Sequence, residues 1–201
     1  MRILASGDIH GDSSLAKRLA ETAVKENVDL VILTGDLTYA EQSSENILGH
    51  FAKRGKKVFL IPGNHDSPAT ADFLAEAYDM RNMHGYGIKY GDIGFFGAGG
   101  ANIGPIFNVS DKDTYELLKK GHERIKGAKL KVLITHNHPT GSMMENFSNI
   151  VPGNAGLRKA IDAFHPDIVL CSHVHEAAGI EEQIGKTKVI NVSRQFKIID
   201  L

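Results

Sequence analysis

Short apolar runs recur along this chain, and the segments between them restrict the folds open to it. Residues 3–6, 30–33 and 58–61 are short apolar runs, the first closing on Ser6. Helical periodicity follows each one. Leu15, Leu19, Ala23 and Val24 repeat at helical spacing behind Asp12 and Ser13, either of which can act as N-cap. Ile47, Leu48 and Phe51 mark a second helix, and residues 71–78 a third. Unbroken apolar strands separated by helices predict a parallel sheet covered on both faces, an α/β arrangement. With 201 residues, 42% of them apolar, the chain can fill the core of one domain, and we expect a single domain over residues 1–201.

The middle of the chain changes character. Residues 85–104 hold eight glycines, interleaved with Ile88, Tyr90, Ile93, Phe95 and Phe96. So many large apolar residues argue against a linker and for short strands and tight turns, with a hairpin opening a second sheet. Residues 110–126 read as a helix capped by Ser110, and residues 130–135 as a strand. Asn154 caps a helix carrying Leu157, Ile161 and Phe164, and a strand follows at residues 168–171. Residues 178–184, 188–192 and 196–199 read as strands of a terminal meander.

Charge and cysteine content exclude several classes. Lys+Arg is 23 and Asp+Glu is 24, so the chain lacks the basic excess of a general nucleic-acid binder. The lone Cys171 rules out an intramolecular disulfide framework. No apolar run approaches the roughly 18 residues of a membrane span, and the N-terminal apolar stretch is too short for a signal peptide. The expected location is the cytoplasm, with no membrane partner.

Polar residues collect where the strands end. The first run leads into Asp8 and His10, the second into Asp36, and the third into Asn64, His65 and Asp66. Two later runs lead into His136 and into His173 and His175. Alone, a Gly-Asp after a strand reads as a turn, with the carboxylate accepting backbone hydrogen bonds. In α/β sheets, however, ligands gather beyond the carboxyl ends of the strands. Five distant strands therefore bring Asp, His and Asn to one edge, as a catalytic metal site requires. Asp8, His10, Asp36, Asn64, His136, His173 and His175 are seven ligand-type residues, whereas one metal takes three or four. Seven suit two divalent ions if one carboxylate is shared. The mixed donors favour manganese, with Fe, Zn, Ni or Co as alternatives. Two such ions suit displacement at phosphorus, and their surplus positive charge suits a small phosphorylated substrate.

The ordered set Asp8-Ile9-His10, Gly35-Asp36, Gly63-Asn64-His65-Asp66, His136 and His173-Val174-His175 resembles the calcineurin-like metallophosphoesterase superfamily, in particular its small prokaryotic and archaeal members. The resemblance implies a four-layer α/β/β/α sandwich, two mixed β-sheets flanked by helices. It implies that Asp8, His10 and His175 hold one metal, that Asn64, His136 and His173 hold the other, and that Asp36 and a water or hydroxide bridge them. It further implies that His65 is not a ligand but protonates the leaving oxygen, and that Asp66 orients His65 or a neighbouring imidazole. The activity implied is hydrolysis of phosphate esters, diesters ahead of monoesters, by metal-activated water.

Some positions depart from that pattern. Ser172 stands where a glycine usually precedes the two histidines, so we expect a local adjustment of the backbone. The arginine and glutamate that mark the Ser/Thr protein phosphatases are absent, and Asp66 fills the second of these positions. Arg194 lies in a loop that could border the site, and reads equally as a surface charge; His138 follows His136 closely enough to contact substrate, and reads equally as a solvent-facing loop histidine. His50, His84, His122 and His165 read as structural or surface residues, and Cys171 as a small core residue. Two rival functions remain, a non-catalytic scaffold on the same fold and a nuclease of the same superfamily. A scaffold tends to lose ligands or the acid histidine, and every position is filled here. A nuclease benefits from a basic groove or an added DNA-binding domain, and none is visible.

Overall fold

The structure, a computed structural model, describes residues 1–42, 46–148 and 150–201. The first strands are β1 (Arg2–Ser6), β2 (Leu30–Leu33), β3 (Val58–Leu60) and β4 (Arg81–Asn82). Next come β5 (Tyr86–Tyr90), β6 (Ile93–Ala98), β7 (Leu130–Thr135) and β8 (Ile168–Cys171). The tail supplies β9 (Glu181–Ile184), β10 (Thr187–Asn191) and β11 (Phe196–Asp200). The helices are α1 (Ser13–Lys25), α2 (Gly49–Ala52), α3 (Pro68–Ala77), α4 (Asp111–Glu123) and α5 (Ala155–Phe164).

Two sheets form, with strand orders β11-β1-β2-β3-β4 and β5-β6-β7-β8-β10-β9. Both are mixed. In the first, β1 to β4 run parallel and β11 antiparallel to β1. In the second, β6, β7, β8 and β10 run parallel, with antiparallel β5 and β9 at the edges. Period-two alternation divides each strand between two cores. Ile3, Ala5, Leu30 and Ile32 face the second sheet, where they meet Phe95, Val132, Ile134 and Leu170. Leu4, Val31 and Leu33 face the opposite way, onto α1, α2 and α3. Phe96, Leu133 and Val169 turn likewise onto α4 and α5. The result is the expected α/β/β/α sandwich with three apolar layers. The central layer fixes the two sheets against each other, so residues at their shared edge hold position.

Side-chain caps start the helices as their residue types dictate. Asp12 accepts from Leu15 N–H, Ser110 from Asp113 N–H and Asn154 from Leu157 N–H. Three local expectations need correction. The third helix begins at Pro68, because Ser67 caps it and proline suits the first turn. The second is only the four-residue α2. The tail is not one meander: β9 and β10 join the second sheet, while β11 crosses to pair with β1. That crossing places Leu201 O where the Met1 amino group donates to it at 3.0 Å. No helix among the described residues is long and apolar enough to cross a membrane.

Candidate metal centre

Tight backbone reversals at the strand ends build the site. Asp8, His10, Asp36 and His173 all adopt left-handed φ values of 55°, 49°, 51° and 73°. Each such residue costs about 1–2 kcal/mol when it is not glycine. Four in one cluster mark a place where geometry is held against local preference. Backbone hydrogen bonds hold it: Asp8 N–H donates to Gly35 O at 3.0 Å, His10 N–H to Asp36 O at 2.8 Å and Gly11 N–H to Leu37 O at 2.9 Å. Gly63 must stay bare, because a Cβ there would lie 2.0 Å from Asp36 Oδ1.

These turns bring the predicted ligands together. Asp36 Oδ2 lies 3.5 Å from His10 Nε2 and 3.5 Å from His136 Nε2, and so stands between two histidines from different sheets. Asp8 Oδ1 is 3.5 Å from His175 Nε2, which is 3.4 Å from His10 Nε2. Donor atoms sharing one tetrahedral ion at about 2.1 Å stand roughly 3.4 Å apart, so these separations fit metal ligation. The donors overlap as three groups: Asp8, His10 and His175; Asp8, Asp36 and His136; His10, Asp36 and His65. His173 belongs to none of the three. Its ring centroid lies 4.9 Å from that of His136, and its buried Nε2 has no hydrogen-bond partner. Asp8 Oδ1 and His10 Nδ1 are likewise buried without a hydrogen bond. Unpartnered polar atoms are costly in a folded interior, and a cation would satisfy those aimed into the cluster.

His136 shows how the surroundings prepare a ligand. Its Nδ1 lies 2.9 Å from Thr34 O and 3.0 Å from Ser172 Oγ, and Ser172 Oγ–H donates to Thr34 O at 2.9 Å. In the neutral form that a metal ion would select, the proton would sit on Nδ1, directed at that carbonyl, and Nε2 would present a lone pair. Asn64 Oδ1, also a lone-pair atom, faces it at 2.7 Å. That is a hydrogen-bond separation, and the pair would open by several tenths of an ångström to share a cation. Ser172, where a local adjustment is expected, thus contacts His136 rather than His173, which it precedes in the chain.

The electrostatics fit the same purpose. Burial pushes Asp36 up to about 6, in spite of the opposing His136 charge. Burial also works against ionised Asp8, but the His175 imidazole and the charge of His136 outweigh it and hold Asp8 well below the usual carboxylate range. Burial pushes His10 down to about 4 and His173 down to about 3, leaving both neutral and able to donate lone pairs at neutral pH. The Asp8 carboxylate raises His175. A dication would neutralise the two carboxylates that burial otherwise opposes.

His65 and Asp66 are adjacent in sequence and differ in surroundings. The His65 backbone N–H donates to Asp36 Oδ1 at 2.8 Å. Its partly exposed ring stands edge-on to His10 at 4.8 Å and near Tyr39 at 5.4 Å. Asp66 is fully buried. Its Oδ2 accepts from Leu37 N–H at 2.9 Å and Gly63 N–H at 3.0 Å. Its Oδ1 accepts from Thr38 N–H at 2.8 Å and Thr38 Oγ1–H at 2.7 Å. Among the described residues no imidazole donates a hydrogen bond to this carboxylate. The expectation that Asp66 orients a histidine is therefore corrected: it ties the loop after β2 to the loop after β3.

The sequence profile of the calcineurin-like phosphoesterases matches residues 1–177. The chain belongs to the calcineurin-like phosphoesterase family. Uncharacterized protein MJ1162 of Methanocaldococcus jannaschii is 28% identical over 200 residues, covering 96% of this chain and 88% of that protein. Among solved structures, TT1561 of Thermus thermophilus superposes with a TM-score of 0.75 at 17% identity, covering 99% and 98% of the two chains. A dimetal phosphatase from Danio rerio gives 0.63 at 9% identity, covering 95% and 86%. An archaeal phosphodiesterase gives 0.56 at 16% identity and covers all of both chains. These likenesses establish the fold. The family assignment makes this protein a metal-dependent hydrolase of phosphoric esters.

Other predicted positions of this calcineurin-like phosphoesterase fall away from the cluster. Cys171 is buried in the second-sheet core, with Met144 Sδ 3.5 Å away, and burial raises its thiol pKa far above the usual range. His84 accepts from Gly99 N–H at 3.0 Å, His122 stacks on Phe164 at 4.5 Å, and His165 ends α5. His138 is fully buried with neither ring nitrogen hydrogen-bonded, so it is not a solvent-facing loop residue. Sequence reasoning missed Tyr39, which is 59% exposed with its ring beside His10 and His65. No spacing rule marks it, because proximity to those rings arises only once the two loops are joined.

Proposed function

We propose that this protein is a dinuclear metal-dependent phosphoesterase that prefers phosphodiesters and works on a small phosphorylated substrate as a single cytoplasmic domain. The observation that carries the reading is Asp36 Oδ2 standing 3.5 Å from both His10 Nε2 and His136 Nε2, where one carboxylate can serve two sites. Asp8, His10 and His175 would hold one divalent ion and Asn64, His136 and His173 the other, and the pair supplies Lewis acidity for in-line attack of water on phosphorus. Manganese leads the candidates, with Fe, Zn, Ni and Co behind it.

His65 then acts on the opposite side of the reacting phosphorus. Its ring is partly exposed at the mouth of the cluster, and its own N–H is anchored to Asp36 Oδ1. An imidazole there can hold a proton at Nε2 and pass it to the departing oxygen, because imidazoles as a class exchange protons near neutral pH. The likeness to an archaeal phosphodiesterase supports the diester preference. A scaffold would not need His65 or a complete ligand set.

The test is a hydrolysis panel of bis-p-nitrophenyl phosphate, p-nitrophenyl phosphate and cyclic nucleotides, run with each of these metals and after chelation. Diester turnover restored by metal is expected. Chelator-resistant hydrolysis, or none with any metal, would reject the reading.

A further inference from the structure

A groove of about 400 Å³ lies between α1 and the start of β11, within the size range of small-ligand sites. Its apolar floor is Leu15 and Leu19, which are 7% and 1% exposed, and Phe196 lines it with a ring that is 48% exposed. Arg18 and Arg194 line the same groove, one from the helix face that carries Leu15, the other from the loop before β11. The chain has seven arginines. Arg2, Arg54 and Arg158 form ion pairs, and Arg81 and Arg124 lie over the Tyr86 ring. Among the described residues, only Arg18 and Arg194 have no such side-chain partner. A larger cavity of about 650 Å³ lies at the far edge of the second sheet, but there Lys129 pairs with Asp92 and Lys131 donates to Phe164 O.

The loop that carries Arg194 is tied to the strand end that carries Asp8. Ser193 bridges to Gly7, and Arg194 N–H donates to Gly7 O at 3.0 Å, one residue before Asp8. Arg194 takes a left-handed φ of 51°, a conformation that sterics disfavour for a non-glycine residue. The backbone is thus held in an unfavourable turn at the point where Arg194 lines the groove.

We propose that this groove binds an organic anion with an apolar body, and that it receives a second acidic group carried by the substrate. Two guanidinium groups can grip a carboxylate, sulfonate or phosphate through charge-assisted hydrogen bonds. Phe196, Leu15 and Leu19 cover the attached ring or chain. The binding claim stands on the groove alone, whereas its role as part of the substrate site rests on the phosphoesterase reading.

The experiment separates the two. Naphthalene-2-sulfonate and neutral 2-naphthylmethanol are titrated calorimetrically into metal-free full-length protein. The sulfonate should bind at least about tenfold tighter, and Arg18→Gln and Arg194→Gln should each weaken it about tenfold. Lys17→Gln, an equal charge change on the exposed face of α1, should leave binding unchanged. Absent sulfonate binding, no loss in either arginine variant, or an equal loss in Lys17→Gln would overturn the proposal. With manganese added, two aryl phosphodiesters are then compared that differ only in a carboxylate or its methyl ester on the second alcohol. The ratio of their kcat/KM values should fall in both arginine variants. A ratio that stays at the wild-type value would overturn the substrate role. If the wild type hydrolyses neither ester, the phosphoesterase reading fails, and the titration alone decides the groove.

Discussion

Replacing Asp66 by asparagine should weaken the fold more than the chemistry. Four donors converge on this carboxylate: Leu37 N–H and Gly63 N–H on Oδ2, Thr38 N–H and Thr38 Oγ1–H on Oδ1. An amide nitrogen in the Oδ2 position would face two backbone N–H groups, neither of which can turn away. In the Oδ1 position it would face one, since the Thr38 hydroxyl can rotate and accept instead. The second orientation is cheaper, and it still leaves Thr38 N–H unsatisfied in the interior, at about 1–3 kcal/mol. The retained bonds also lose the ionic partner that makes them stronger than neutral ones. About 3 kcal/mol in total is a reasonable size, or a fall in Tm of roughly 6–12 °C for a domain of this length. Asp66→Ala should cost more, because three buried backbone N–H groups lose their acceptor. Urea unfolding of the metal-free proteins measures the difference directly, with an unchanged m value showing that the unfolded states compare. If Asp66→Asn unfolds within about 0.5 kcal/mol of wild type and instead loses rate according to leaving-group pKa, the stapling role is wrong and Asp66 acts through an imidazole after all.

Asp36→Asn should lose metal at both sites, whereas His136→Ala should mainly weaken one. Elemental analysis after reconstitution would contradict the bridging role by finding two tightly held ions in Asp36→Asn. His65→Asn should keep both metals and lose roughly 10²–10⁴-fold in rate on substrates with poor leaving groups, with a smaller loss for p-nitrophenolate. A defect independent of the leaving group would remove His65 from the acid role. The metal-free protein should also lose stability on acidification from pH 7 to 5, although Asp36, pushed up to about 6, opposes the loss by about 1 kcal/mol as it protonates. Burial depresses His173 to about 3 and His138 to about 4, so below the ordinary value of 6.5 the unfolded chain binds protons that the folded one does not. At pH 5 each contributes a loss of up to about 2 kcal/mol. A flat stability profile over that window in urea titrations would refute the burial argument.

Asp36 and Asp66 show how far a sequence carries an argument of this kind. Both are aspartates in turns just beyond apolar strands, and reading along the chain gives both a share in the chemistry. The strand-end pattern places Asp36, His10 and His136 at one edge, because parallel strands present their carboxyl ends together, and there Asp36 Oδ2 stands 3.5 Å from both imidazoles. What each carboxylate does there depends on the groups the neighbouring loop offers. Asp36 meets imidazoles and the bare backbone of Gly63, while Asp66 meets N–H groups that have no other acceptor. Ser172 carries the same lesson: its hydroxyl matters because Thr34 O lies 2.9 Å away, 138 residues earlier in the chain. The crossing of β11 was equally hidden, since a terminal strand of residues 196–199 can add to either sheet by its own pattern. Only the pairing with β1 decides, and that pairing brings Arg194 beside Gly7 and opens the groove against α1. Local periodicity therefore locates the ligands, whereas long-range pairing determines which of their neighbours orient, staple or bind.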